Sequence, residues 1–145
     1  IHTRPFLLPA LRTELSTALS DSTADFSSAK FPLLESLFVE SMRVHCFLST
    51  VIHHVSLKLF IFHDGYTVPK GEIVEFFQYR TMHDETLYSE PGTFDANRHV
   101  ENGRKATEVG REWPFWGNAK MACPGRFHVS NVVNLIAIYF VMKYD

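Results

Sequence analysis

Residues 90–124 carry neither helical nor strand periodicity and are rich in Pro, Gly, Asn and charge. A stretch of this length without regular structure is uncommon inside a compact domain unless it is ordered for a function. Its order has to come from the elements around it. Hydrophobic residues make up 46% of the 145 residues and charged residues 21%, enough apolar material for a packed core and too much for a disordered chain. The 13 Phe residues suggest a large apolar interior or an apolar ligand that shares it.

Regular elements flank the irregular segment on both sides. Leu8, Leu11, Leu15, Ala18 and Leu19 recur at helical spacing, with Pro9 in the first turn, and the polar run from Ser20 through Asp21 and Ser22 to Thr23 ends that helix. Pro32 opens a second helix with Leu34, Leu37, Phe38 and Met42 as its apolar stripe. Val51 and Ile52, residues 57–62 and residues 72–79 are β-branched or aromatic and read as short strands. Asp64-Gly65 and Pro69-Lys70-Gly71 are turn signals between them, so a small antiparallel sheet is expected. A short helix is expected near residues 82–88, with His83-Asp84 as a pair at its start. The last helix begins near Gly125. Its apolar run, residues 135–142, is shorter than the roughly 20 residues a bilayer span needs and reads as a buried helix.

Charge and cysteine content narrow the chemistry. Lys+Arg total 14 against 16 Asp+Glu, a net charge of −2, so no cation excess is present to displace phosphate counterions and nucleic acid is not an expected partner. Cys46 and Cys123 are too few for a disulfide framework, and neither a Cys-x-x-Cys pair nor a His-Glu-x-x-His motif is present. Cys123 precedes Pro124-Gly125 and a helix start, where free N–H groups and the helix dipole favour a thiolate. Small residues at Gly117, Ala119, Ala122 and Gly125 would let a flat ligand approach the backbone. A thiolate there suits iron. The same residues taken alone also describe an ordinary buried cysteine. A nucleophilic Cys123 with His128 as partner fits poorly at a spacing of five.

Glu40 and Arg43 stand at i, i+3 and can pair on one helix face, with Arg98 available as a third member. His53 and His54, adjacent in a strand, are expected on opposite faces and so unable to chelate one metal together.

In chain order these residues resemble the C-terminal half of a cytochrome P450, a haem-thiolate monooxygenase. Glu40-Ser41-Met42-Arg43 resembles that family's Glu-x-x-Arg motif. Gly65-Tyr66-Thr67-Val68-Pro69-Lys70-Gly71 resembles its Gly-Tyr-x-Ile-Pro-Lys-Gly hairpin, and Thr81-Met82-His83-Asp84 its Met-His-Arg-Asp stretch. The run from Pro91 through Phe94 to Arg98 is similar to Pro-x-x-Phe-x-Pro-x-Arg. The run from Trp116 to Gly125 is similar to the cysteine loop Phe-Gly-x-Gly-x-Arg-x-Cys-x-Gly. The wording from Cys123 to Phe127 is most similar to fungal members that oxidise secondary metabolites.

The resemblance implies a mainly α fold with a small antiparallel sheet, the family's J, K and L helices, meander and cysteine loop, with residues 1–145 as part of a haem-binding monooxygenase domain. It implies haem b (iron protoporphyrin IX) with Cys123 as its axial metal ligand, and Trp116, Gly117, Lys120, Gly125 and His54 around the cofactor. Glu40, Arg43 and Arg98 would form a structural triad. Met121 stands where the family has Arg or His near a haem propionate, with Lys120 beside it, and Ala119, Ala96 and Asn97 also depart from the pattern. The implied reaction inserts one oxygen atom of O2 into a small lipophilic substrate with electrons from an NADPH-dependent reductase. The alternative is a degenerate product without activity. Ile1, with no signal peptide after it, and the uncapped end at Asp145 suggest a fragment. The oxygen-activation motif and the N-terminal anchor would then lie upstream of His2, where the J helix starts. The parent would sit on the cytosolic face of the endoplasmic reticulum membrane, held only by that anchor.

Overall fold

The computed structural model describes residues 6–20 and 31–144. Helices α1 (Leu7–Leu19) and α2 (Pro32–Val44) are followed by strand β1 (Val51–Val55) and hairpin β2 (Phe60–Ile61) and β3 (Thr67–Val68). Strand β4 (Ile73–Phe76), a short helix α3 (Gln78–Met82), the long irregular segment and helix α4 (Arg126–Lys143) complete the order. The polar loop expected after α1 lies, apart from Ser20, outside the described residues, as do Ile1 and His2.

Two cores result. Leu11, Leu15, Phe31, Leu34, Ile138 and Val141 pack where α1, α2 and α4 meet. Val39, Met42, Met82, Ala106 and Trp113 join the far half of α2 to α3 and the irregular segment. Side chains from α1 close the helix ends nearby. Glu14 accepts hydrogen bonds from the N–H groups of Leu33 and Leu34 at 2.7 and 3.0 Å, serving the free amides and positive dipole end of α2. Arg12 donates to the carbonyls of Val141 and Tyr144 at the other end of α4, where a cation is favoured.

Five expectations differ from the structure. The strand expected over 72–79 ends at Phe76, with Gln78 and Tyr79 already in α3. The small sheet is two separate two-stranded antiparallel sheets, β1 with β4 and β2 with β3. The strand expected over 57–62 contracts to two residues. The helix expected near 82–88 lies earlier, at Gln78–Met82, because Gln78 Nε2 and the Tyr79 N–H are drawn to the carbonyls of Leu48 and Ser49. His83 therefore caps the end of α3, and Asp84 opens a turn by accepting from Thr86 N–H and hydroxyl at 2.8 and 2.6 Å. Finally, α4 is not buried along its apolar run. Ile138 and Val141 face α1 and α2, while Leu135, Ile136, Tyr139 and Phe140 are about half exposed, 48–56%.

Candidate functional site

The cysteine loop is built by its own backbone. Gly117 N–H donates to Pro114 O at 2.8 Å, Met121 N–H to Asn118 O at 3.0 Å, and Cys123 N–H to Trp116 O at 2.7 Å. Gly117 takes φ +85°, and a Cβ there would sit 2.9 Å from the Met121 carbonyl oxygen, so this glycine is required both by its dihedral and by close approach. Gly125 is different. A Cβ there would lie 3.8 Å from Cys123 Sγ, an ordinary contact, so the chain's own packing does not demand it. Pro124 and Gly125 form a turn ahead of α4, which starts at Arg126 rather than at the proline.

Cys123, half-buried and free of any disulfide, opens onto a cavity of about 280 Å³. Its walls are residues 51–54 of β1 and residues 115–117, 121 and 123 of the loop. The structure thus brings His54, Trp116, Gly117 and Cys123 together. Lys120 is exposed and is not part of the wall, and Met121 occupies the wall beside it while remaining 69% exposed. Both His53 and His54 line the cavity, against the alternation expected of a regular strand. A register shift between Val51 and His54 breaks the β1–β4 ladder, with Ile52 at φ +56°. Positive φ in a β-branched residue is strained, and such strain concentrates at functional walls. His53 Nδ1 also lies 3.6 Å from Glu75 Oε1. Among the described residues no cluster of three or more His, Cys, Asp or Glu is placed to hold a metal ion.

A buried charge cluster joins α2 to the irregular segment. Arg43 Nε and Nη2 donate to the two oxygens of Glu40 at 2.8 and 2.9 Å, a bidentate pair in which both side chains are fully buried. Arg43 also donates to the carbonyls of Met82, Pro91 and Thr93 and lies 5.0 Å over the Tyr88 ring. Arg98 Nε donates to Glu40 Oε1 at 3.1 Å and its other nitrogens to Ser89 and Thr93 carbonyls. The expected trio is therefore assembled. The sequence reading missed a fourth member, His99, buried with Nε2 at 3.3 Å from Glu40 Oε2. Burial pushes the Glu40 carboxyl up. The hydrogen bonds from Arg43 and the Asp95 amide, with the Arg43 charge and the His99 ring 3.3 Å away, outweigh it and hold Glu40 well below the usual carboxylate range. Burial raises the Tyr88 phenol and, farther along, the Cys46 thiol.

Comparison with known proteins gives the family of the chain. Cytochrome P450 monooxygenase roqO of Penicillium rubens is 32% identical over 151 residues, covering 97% of this chain and 30% of that protein. Cytochrome P450 monooxygenase paxP of Penicillium paxilli is 32% identical over 151 residues, covering 99% and 29%. Fusicoccin H C-9 hydroxylase of Phomopsis amygdali is 28% identical, over 97% and 29%. The chain thus spans about 30% of the length of the curated relatives it matches. A zebra fish cytochrome P450 structure with progesterone matches its fold with a TM-score of 0.81 at 21% identity, covering 99% of this chain and 32% of that one. Since the family model described as Cytochrome P450 matches residues 2–127, the chain belongs to the cytochrome P450 family.

Proposed function

We propose that residues 1–145 form the haem-thiolate portion of a monooxygenase domain, with Cys123 as the iron ligand and haem b as the cofactor. The observation that carries this reading is the free Cys123 side chain lining an otherwise mainly apolar wall of aromatic and aliphatic residues, in a loop held by Gly117. This donor set suits the group: one soft sulfur for iron, with apolar surface and backbone around it. Trp116 and Gly117 would lie against the cofactor, with His54 at its edge and Gly125 behind the sulfur. Lys120, an exposed cation beside Met121, would serve a propionate as a point charge and not as a fork. Glu40, Arg43 and Arg98 would lock α2 to the segment that leads into the loop. When bound, the haem supplies oxygen activation, with the thiolate donating electron density to iron.

The parent reaction is insertion of one atom of O2 into a small lipophilic substrate, with electrons from an NADPH-dependent reductase. The relatives named as monooxygenases and as a hydroxylase support it. No described helix is long and apolar enough to cross a membrane. Placement on the cytosolic face of the endoplasmic reticulum through an anchor elsewhere in the parent is part of the same proposal. The test is reconstitution of the chain with haem, followed by reduction and carbon monoxide. A red-shifted Soret band of the thiolate type is expected, and it is lost in Cys123→Ser. Haem uptake with an unchanged band in Cys123→Ser refutes the ligand assignment.

A further inference from the structure

We propose that Arg126 is a positioning residue for Cys123, acting by clamping the main chain of the cysteine to the strap at Ala106 and Thr107. Arg126 Nη1 donates to the Cys123 carbonyl at 2.8 Å, and Nε of the same guanidinium donates to the Thr107 carbonyl at 3.0 Å. One planar fork therefore joins Cys123 to Thr107, a residue 19 positions before Arg126 in the chain. Its placement runs against local electrostatics. Arg126 is the first residue of α4, where the positive end of the helix dipole disfavours a cation. The position is compensated by those two carbonyls and by the Phe127 ring, 4.2 Å from the guanidinium carbon.

Both main-chain polar groups of Ala106 in the strap are held. Ala106 N–H donates to Glu35 Oε1 at 2.7 Å, and Ala106 O accepts from Trp116 Nε1 at 2.5 Å. Glu35 is buried on α2, and its second oxygen accepts from Asn134 Nδ2 of α4 at 3.3 Å. Trp116 O in turn accepts from Cys123 N–H. The cysteine is thus gripped through both of its main-chain polar groups. Trp116 holds its N–H, Arg126 holds its C=O, and both Trp116 and Arg126 end on neighbouring carbonyls of one strap. Ala106 is fully buried in the second core, which ties the anchor to α2 and α3.

This role builds on the assignment of Cys123 made above, and a haem-free measurement separates the two. Hydrogen exchange of the Cys123 amide is followed in the haem-free chain for wild type, Arg126→Met and Arg126→Lys. Loss of a charge-assisted bond raises local opening about tenfold or more in Arg126→Met, with the Leu11 and Leu15 amides of α1 unchanged. Arg126→Lys, which keeps the charge and one donor, recovers part of the protection. In the haem-loaded chain the thiolate-type carbon monoxide band loses intensity in Arg126→Met and regains it in Arg126→Lys. Cys123 exchange at the wild-type rate in Arg126→Met overturns the proposal. A parallel rise at Leu11 and Leu15 also overturns it, in favour of a general stabilising role. Should the wild-type chain take up no haem, the ligand assignment falls while the exchange result still decides the role of Arg126.

Discussion

Arg43→Met removes the guanidinium at the centre of the buried cluster, and its cost can be worked from the contacts. Arg43 makes five hydrogen bonds, two to Glu40 and three to carbonyls. Thr93 O keeps Arg98 as a donor, but Met82 O and Pro91 O lose a charged one. Glu40 keeps Arg98, whose side chain is 14% exposed, together with His99 and the Asp95 amide. Removing one partner of a buried pair costs about 3–5 kcal/mol. Each orphaned carbonyl adds about 1 kcal/mol, and relaxation recovers some of it, so a loss of about 4 kcal/mol is expected. That is a large share of the roughly 5–15 kcal/mol of a whole domain. Arg43→Lys keeps the charge but not the fork, and about 2 kcal/mol is expected. Urea unfolding followed by far-UV circular dichroism measures both. A loss below about 1 kcal/mol in Arg43→Met would refute the reasoning, because the cluster would then contribute no more than an exposed pair. Equal losses in the two variants would refute the part assigned to retained charge.

Three further outcomes follow from the same structure. Because Glu40 is depressed, the unfolded chain binds a proton that the folded chain refuses below about pH 4.3, so stability rises with pH through that window and is fully present above it. Acid titration of unfolding should show this slope in wild type and a shallower one in Glu40→Gln, and identical slopes would contradict it. Gly117→Ala forces φ +85° on a residue with a Cβ, 2.9 Å from Met121 O, costing about 1–2 kcal/mol locally. Faster proteolysis within residues 115–123, with an unchanged melting temperature of the α1–α2–α4 core, is the expected readout. Leu57, at 83% exposure, and Phe60, at 50%, add apolar surface around the β2–β3 hairpin. Leu57→Lys with Phe60→Lys should lower light scattering on concentration while changing stability by no more than about 0.5 kcal/mol per site.

The helices α1, α2 and α4 were legible because Leu spacing, Pro32 and the apolar run after Gly125 are local signals, whereas several decisive contacts have none. Glu14 caps a helix across 19–20 residues, and nothing in its neighbourhood marks it as a cap. His99 reads as one more polar residue after Arg98 until the fold turns it onto Glu40. The irregularity at Ile52 defeats the two-residue alternation on which the separation of His53 and His54 rested. The apolar run of α4 signals a covered helix, and its sequence holds no record of which faces the described residues cover.

Polar side chains share the buried face of α2 with Leu34, Val39 and Met42, and they explain how a segment without periodicity becomes ordered. Glu35, Ser36, Glu40 and Arg43 are nearly or fully buried on α2, while Leu135, Ile136 and Phe140 are about half exposed. These four side chains bond to backbone groups of the downstream segment: Ala106 N–H to Glu35, Ala96 O and His99 N–H to Ser36, Asp95 N–H to Glu40, and Met82, Pro91 and Thr93 carbonyls to Arg43. One helix thereby satisfies the polar main chain that a ladder or a helix would otherwise satisfy. The donors and acceptors on α2 can be recognised by residue type, but main-chain partners carry no residue identity. The motif residues Glu40 and Arg43 were therefore visible in the sequence, while the reason residues 90–106 hold one conformation was not. Replacing these buried polar groups with apolar ones could preserve the helix, but it would take Glu35 from the Ala106 N–H and leave the strap held by Trp116 and Arg126 alone.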